Sequence, residues 1–134
     1  MKVKCRTISR GCAEGQVLIT HDPISFLGNV DPKTGKVVDA NHELFGQSIK
    51  DKVLVFPHGK GSTVGSYVIY QLFKNGAAPA AMINLESEPI VAVGAIISAI
   101  PLVDRLENDP YSFLSNGMFI KVNSSEGYVE VPEG

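Results

Sequence analysis

The sequence has few of the residues on which metal-binding and nucleic-acid-binding proteins depend. Its 134 residues include two cysteines and no tryptophan, and the 12 lysines and arginines do not outnumber the 14 aspartates and glutamates. Two thiols cannot complete a four-ligand zinc or iron–sulfur site, so we predict no metal site in this chain. A net charge of −2 without a basic cluster argues against nucleic acid as a partner.

A long apolar run is absent as well. The longest, 90–103, is shorter than the roughly 20 residues of a membrane-spanning helix, and Gly94 and Pro101 interrupt it. Met1 leads directly into a strand of alternating polarity, which is not the pattern of a signal peptide. These observations predict a cytoplasmic protein that does not enter a membrane. The length suits a single domain, residues 1–134, with a core of its own.

The middle of the chain predicts a strand–helix–strand unit. The apolar run Val53–Phe56 lacks polar alternation, which is typical of a strand covered on both faces, and Pro57 ends it. An apolar stripe with helical spacing predicts a helix that reaches Asn75. Ala80–Leu85 is a second apolar run and predicts a second buried strand. We expect the two strands to be parallel, with a right-handed crossover.

The remaining elements complete a mixed α/β domain. Lys2–Ile8 alternates in polarity and predicts a half-exposed strand, and Gly15–Thr20 predicts the next one. The apolar run 90–100 is consistent with a short buried helix or with a strand, and its periodicity does not decide between them. Met118–Val122 and Tyr128–Val131 are separated by turn residues and predict a final hairpin.

One long segment, 21–46, is rich in turn signals and has little regular structure of its own. Such a segment in a compact domain is usually a functional loop or faces a partner. It contains Phe26, Leu27, Leu44 and Phe45, which a loop without a partner would have to expose. We therefore predict that residues 25–46 lie at or beside an interface with a partner chain, and the alternative is a connection without a role.

The loop before the predicted helix is the predicted ligand site. Gly59 and Gly61 flank Lys60, and Ser62 or Thr63 is a suitable N-cap. Ligands of α/β sheets bind beyond the carboxyl ends of the strands, and a helix N-terminus favours an anion. The same positive field stabilises an alkoxide, so Ser62 could act as a base, with Lys60, Gly61 and Thr63 binding the substrate. The alternative is that Ser62 is only an N-cap and Lys60 a solvated charge.

Taken in order along the chain, these motifs resemble the small domain of the aconitase X family. The resemblance rests on residues 25–35, on His42 and Gly46, and on residues 53–62 and 75–81, and it covers nearly the whole chain. It implies a swivelling β/β/α domain that pairs with a separate large subunit as a heterodimer. It also implies that the large subunit carries a [4Fe–4S] cluster, so that this chain holds no cofactor.

The resemblance also implies roles for single residues. Ser62 matches the serine that accepts the proton during dehydration. A segment similar to an Asp-x-Ile-Ser motif of true aconitases brings Asp22 and Ser25 towards the site. True aconitases follow the serine with an arginine that binds the substrate, whereas Thr63 and Val64 stand here. The resemblance therefore does not extend to recognition of a tricarboxylate.

The activity implied by the resemblance is that of a hydro-lyase subunit acting on a phosphorylated hydroxy acid. The expected reaction removes water from (R)-5-phosphomevalonate, giving trans-anhydromevalonate 5-phosphate, in a modified, archaeal mevalonate route to isoprenoids. Elimination of water needs a Lewis acid at the leaving hydroxyl and a base at the adjacent carbon, and this chain offers only the base. One alternative is a hydroxyproline-type substrate, and another is a non-catalytic module that binds anions.

Overall fold

The fold is organised around one mixed sheet, seen in a computed structural model that describes residues 1–132. In chain order the elements are β1 (Lys2–Lys4), β2 (Arg6–Ser9), β3 (Cys12–Ile19), α1 (Phe26–Asn29), β4 (Val53–Val55), α2 (Gly65–Lys74), β5 (Ala81–Ile83), α3 (Pro89–Ile97), β6 (Leu102–Asp104), α4 (Pro110–Phe113), β7 (Phe119–Asn123) and β8 (Tyr128–Glu130). The predicted single domain includes residues 133 and 134, which lie outside the described residues.

The eight strands of residues 1–132 follow the order β1-β8-β7-β3-β4-β5-β6-β2. Strands β3, β4, β5 and β6 are parallel neighbours, whereas β7, β8 and β1 continue the other side of β3 in antiparallel pairs. Although β1 and β2 stand at opposite ends of this order, only Cys5 separates them along the chain. The sheet must therefore curl back on itself, which gives two β layers.

The split at Cys5 corrects the prediction of one strand over Lys2–Ile8. Each half of that segment pairs with a different strand: β1 pairs with β8, and β2 pairs with β6. The alternation of polarity survives the break, since Val3 is buried while Lys2 and Lys4 are exposed. A change of strand partner has no local sequence signature, because each half keeps the polarity pattern of a strand.

Two hydrophobic cores follow from this arrangement. The first lies between the β layers and is dominated by β-branched residues that face inwards from both layers, with Val17, Val53, Val55, Ile83, Val103, Ile120, Val122 and Val129 at its centre. The second lies between the sheet and helices α2 and α3. The buried residues Val68, Ile69 and Leu72 form the apolar stripe of α2 that faces this second core. The result is the β/β/α layering expected from the resemblance.

The predicted strand–helix–strand unit is confirmed. Strands β4 and β5 are parallel and fully buried, and α2 connects them. The open choice for 90–100 is resolved as helix α3, which begins with Pro89 and is capped by the Glu88 carboxylate. The predicted hairpin is also present as β7 and β8. Within residues 1–132, no helix has both the length and the apolar character needed to cross a membrane.

The segment 21–46 is irregular, as predicted, but the interface argument holds for only two of the four apolar residues on which it was based. Phe26 and Leu44 are buried in the chain's own second core, where the ring of Phe26 packs edge-on against Phe56 at a centroid distance of 6.0 Å. Leu27 and Phe45 remain exposed. The segment therefore folds back onto the domain rather than standing free, and its place at an interface stays a prediction.

Candidate active site

The candidate site lies at one edge of the sheet. Because β3, β4, β5 and β6 are parallel, their carboxyl ends meet at the same edge, where ligands of α/β sheets bind. Four loops leave the sheet here: 20–25 after β3, 56–64 after β4, 84–88 after β5 and 105–109 after β6. All the predicted site residues lie on the first two loops.

The first two loops lie side by side and hold each other in place. The Ile24 N–H donates to the His58 carbonyl at 3.3 Å, and the Lys60 N–H donates to the Ile24 carbonyl at 3.0 Å. Gly61 adopts a left-handed φ of 89°, and a Cβ at this position would overlap the Ser25 hydroxyl. The structure thus brings Ser25 and Gly61 into contact.

Ser62 and Thr63 are exposed and lie one turn before the helix. The N-cap of α2 is Val64, so the prediction of Ser62 or Thr63 as N-cap is wrong. The cause is a pair of tight turns, in which the Gly65 N–H bonds the Ser62 carbonyl at 2.9 Å and the Ser66 N–H bonds the Thr63 carbonyl at 3.4 Å. The Ser62 hydroxyl accepts a hydrogen bond from the Val64 N–H at 3.1 Å. That donor stabilises negative charge on the Ser62 oxygen.

The backbone around Ser62 presents donors that the chain itself does not use. Among the hydrogen bonds of residues 1–132, none is donated by the N–H groups of Gly61, Ser62 or Thr63. The ammonium group of Lys60 is exposed and makes no ion pair within the same range. At α3, by contrast, the Glu88 carboxylate accepts two N–H groups at 2.9 and 2.7 Å. The start of α2 is therefore open to an external anion, whereas the start of α3 is closed by the chain's own carboxylate.

Asp22 is half-buried at the same edge, but its side chain is already engaged. Its Oδ2 accepts a hydrogen bond from the Glu43 N–H at 2.8 Å, and its own N–H donates to the Thr20 hydroxyl at 3.0 Å. Within the described chain no hydrogen bond joins Asp22 to residues 58–64. Asp22 therefore contacts the first loop and its neighbours, and the structure does not bring it against Ser62.

The third loop, 84–88, forms hydrogen bonds with the second loop, 56–64, which we call the glycine loop. The buried Asn84 side chain donates to the Phe56 carbonyl at 3.1 Å and accepts a bond from the Ser87 hydroxyl at 3.3 Å. The Ser87 N–H donates to Asp104 Oδ2 at 2.7 Å, and Asp104 is held in turn by two bonds of 2.8 and 2.7 Å from Arg6. This chain of polar contacts joins the ends of β4, β5 and β6 and so fixes the base of the site.

Sequence reasoning did not predict which residues hold the first loop, although the resemblance included His42. The neutral ring of His42 donates from Nε2 to the Pro23 carbonyl at 3.1 Å and accepts the Leu44 N–H at Nδ1, also at 3.1 Å. Glu43 accepts bonds from the Thr20 hydroxyl and the His21 N–H. Both residues come from the irregular segment some twenty positions along the chain. No periodicity or local motif relates such distant positions, so the sequence contains no signal for these contacts.

Cys12 lies away from this edge, whereas Cys5 precedes Arg6, which pairs with Asp104 at the carboxyl end of β6. Cys12 begins β3, seven positions before the end of the strand, so about 23 Å of extended chain separates it from the site edge. Cys5 is half-buried, and burial, with a smaller contribution from Asp104, raises the pKa of its thiol to about 11. Among residues 1–132, no three His, Cys, Asp or Glu side chains are grouped closely enough to hold a metal ion.

Comparisons with known proteins place this geometry in a family context. A family model described as the aconitase X swivel domain matches residues 2–131. The chain is 74% identical to the phosphomevalonate dehydratase small subunit of Methanosarcina mazei, over 98% of this chain and 91% of that protein. It is 61% identical to the subunit of the same name from Methanothrix thermoacetophila, over 100% and 97% of the two chains. A crystal structure of Thermococcus kodakaraensis aconitase X in its holo form shares 55% identity, covers 99% of both chains and gives a TM-score of 0.93.

Proposed function

The chain belongs to the aconitase X swivel domain family, and from that membership we propose that it is the small subunit of a phosphomevalonate dehydratase. The reaction is the removal of water from (R)-5-phosphomevalonate to give trans-anhydromevalonate 5-phosphate, a step of the modified mevalonate route. The enzyme is a cytoplasmic heterodimer, and the large subunit completes the active site. Full-length similarity to several small subunits of that name supports this assignment.

The observation that carries the proposal is the open start of α2. It combines an exposed serine hydroxyl with three N–H groups, those of Gly61, Ser62 and Thr63, that donate to no acceptor in residues 1–132. Ser62 acts as the base that takes a proton from the carbon next to the leaving hydroxyl. The helix field and the bond from the Val64 N–H stabilise the Ser62 alkoxide.

The same loop binds an anionic group of the substrate. Lys60 supplies a positive charge at its rim, and the N–H groups of Gly61 and Thr63 supply donors of fixed direction. Ser25 packs against Gly61 and forms the adjoining wall, and Asp22 holds that wall in place through its contacts with the first loop. Each of these side chains lies on a loop that the rigid parallel sheet positions.

The other half of the chemistry belongs to the large subunit. Elimination requires an acid at the leaving hydroxyl, and the residues that the structure describes include no group that could hold a metal ion. We assign the [4Fe–4S] cluster to the large subunit, as the family resemblance implies. The division leaves this chain with the base and with part of the substrate-binding surface.

Co-purification with a large subunit tests the proposal. We expect the complex, assayed without oxygen, to dehydrate (R)-5-phosphomevalonate, and neither chain alone to do so. A hydroxyproline-type substrate serves as the competing candidate in the same assay. Turnover of that substrate alone would move the chain to the other dehydratase, and the absence of both activities in an assembled complex would favour a module that only binds anions.

Lys60→Ala is expected to weaken substrate binding more than the chemical step. An exposed ion pair contributes little, so we expect the KM to rise about 2–5-fold with kcat nearly unchanged. Steady-state kinetics of the complex measure both constants. Lys74→Ala, which removes an exposed lysine at the other end of α2, is the matched control and should change neither. A collapse of kcat at constant KM would place Lys60 in the chemistry instead.

A further inference from the structure

Glu43, which lies in the irregular segment 21–46, forms hydrogen bonds with the three residues that follow strand β3. Its Oε1 accepts bonds from the Thr20 hydroxyl at 2.5 Å and from the His21 N–H at 2.9 Å, while its own N–H donates to Asp22 Oδ2 at 2.8 Å. The Glu43 side chain therefore accepts hydrogen bonds from Thr20 and His21, while its backbone N–H donates one to Asp22. A reciprocal arrangement of this kind fixes the orientation of a turn better than one bond does, because each bond limits the motion that the others allow.

Glu43 binds the side chain of Thr20, whereas other residues bind the backbone of Thr20. Thr20 is fully buried, its N–H donates to the Val55 carbonyl at 2.9 Å, and its carbonyl accepts the Tyr111 hydroxyl at 2.7 Å. The ring of Tyr111 also stacks on His21 at a centroid distance of 4.4 Å. The hydrogen bond from the Thr20 hydroxyl, helped by the His21 N–H, lowers the pKa of the Glu43 carboxyl. The acceptor therefore stays ionised at neutral pH.

Movement of this loop would pass directly to the glycine loop. Two residues beyond Asp22, Ile24 pairs with Gly59, and Ser25 packs against Gly61. Among residues 1–132, the hydrogen bonds between the third loop and the second loop end at Pro57, and Lys60 is bonded only through the Ile24 carbonyl. A displacement of residues 20–22 would therefore move Ile24 and Ser25, and through them the backbone that carries Ser62.

We propose that Glu43 is a positioning residue that holds the loop 20–25 against the glycine loop and thereby sets the place of Ser62. The proposal rests on the proposed function for its catalytic consequence and on the hydrogen bonds alone for its structural part. Glu43 does not touch the reacting atoms. A misplacement of about 1 Å costs up to roughly 100-fold in rate, so Glu43→Ala should lower kcat/KM about 10–100-fold, mainly through kcat.

The test compares Glu43→Ala with Glu43→Gln in the assembled complex and in the full-length chain. Glutamine keeps an oxygen acceptor for the Thr20 hydroxyl and the His21 N–H, so we expect activity within about threefold of wild type, as loss of a partly solvated charge allows. Amide hydrogen exchange gives a second readout that needs no activity. In Glu43→Ala, the N–H groups of Asp22, Ile24 and Lys60 should exchange faster, with Leu54 in the core unchanged.

Glu107→Ala is the matched control. Glu107 is also exposed and also forms a reciprocal pair, since its Oε1 accepts the Lys4 N–H at 3.0 Å and its N–H donates to the Lys4 carbonyl at 2.9 Å. It should leave both kcat/KM and exchange of the site loops unchanged. Unchanged exchange in Glu43→Ala, or faster exchange with unchanged kcat/KM, would overturn the proposal. A wild-type complex without turnover would instead count against the proposed function, and the exchange comparison would still decide whether Glu43 holds the loops.

Discussion

Ser62→Ala is expected to abolish dehydration by the assembled complex while leaving the fold and the assembly intact. A base that acts directly on the substrate proton supplies about 10²–10⁴-fold in rate, which is roughly 3–5 kcal/mol of barrier. The structural role of the hydroxyl is small by comparison. It is exposed and accepts one bond from the Val64 N–H, which contributes about 1 kcal/mol to stability. Anaerobic turnover and melting temperatures on the same samples separate the two effects.

Two further variants sharpen the comparison. Ser66→Ala removes a hydroxyl of the same size one turn later, where it donates to the Thr63 carbonyl at 3.0 Å, and it should keep nearly full activity. Ser62→Thr keeps a hydroxyl but adds a methyl group in a tight turn, so it should be poor without being inactive. If Ser62→Ala retained more than about a tenth of the wild-type activity, well short of the loss of a general base, Ser62 would not be the base.

The position of Ser62 could be predicted because its signals are local. The uninterrupted apolar run Val53–Phe56, the stop at Pro57 and the stripe of α2 each depend on neighbouring residues alone. Once two parallel strands are recognised, their carboxyl ends must share an edge, so the loop between β4 and α2 becomes the expected site. The resemblance added the role of Ser62, which no spacing in this chain encodes.

The remaining features depend on contacts between distant positions. The exchange of strand partners at Cys5 arises because the sheet closes on itself, and no residue near Cys5 signals it. Phe26 and Leu44 are buried in the second core, and they reach it only because the segment 21–46 folds back onto the domain. The start of α2 was misplaced for a different reason. Two tight turns precede Gly65, and a serine suits such a turn as well as it suits an N-cap.

Asp104→Asn is expected to destabilise the chain by about 2–4 kcal/mol, because it breaks a buried network of charge-assisted bonds. The Asp104 side chain is 0% exposed and receives two bonds from Arg6, whose side chain is 41% exposed, and one from the Ser87 N–H. An amide in its place keeps the shape but offers one oxygen for these three donors and adds two donors of its own. Urea unfolding of wild type and variant measures the difference.

Glu86→Gln is the matched control, and pH provides an independent check. Glu86 makes the same two-bond contact with Arg105, at 2.9 and 2.7 Å, and a longer contact of 3.6 Å with Arg6, but the side chains of Glu86 and Arg105 are 59% and 56% exposed, so the change should be barely measurable. Burial alone would raise the pKa of Asp104, but the bonds from Arg6 and Ser87 outweigh it and hold that pKa below its ordinary value of 3.8. A lowered pKa in the folded state means that the ionised form stabilises the fold above about pH 4 and that this stabilisation is lost as the pH falls through the folded pKa. The loss of unfolding free energy in Asp104→Asn should therefore be constant from pH 7 to about pH 5 and shrink in more acidic solution.

Two outcomes would show that the buried charge is not what stabilises the base of the site. One is a loss of unfolding free energy in Asp104→Asn that stays the same in acid, and the other is an equal loss in Glu86→Gln.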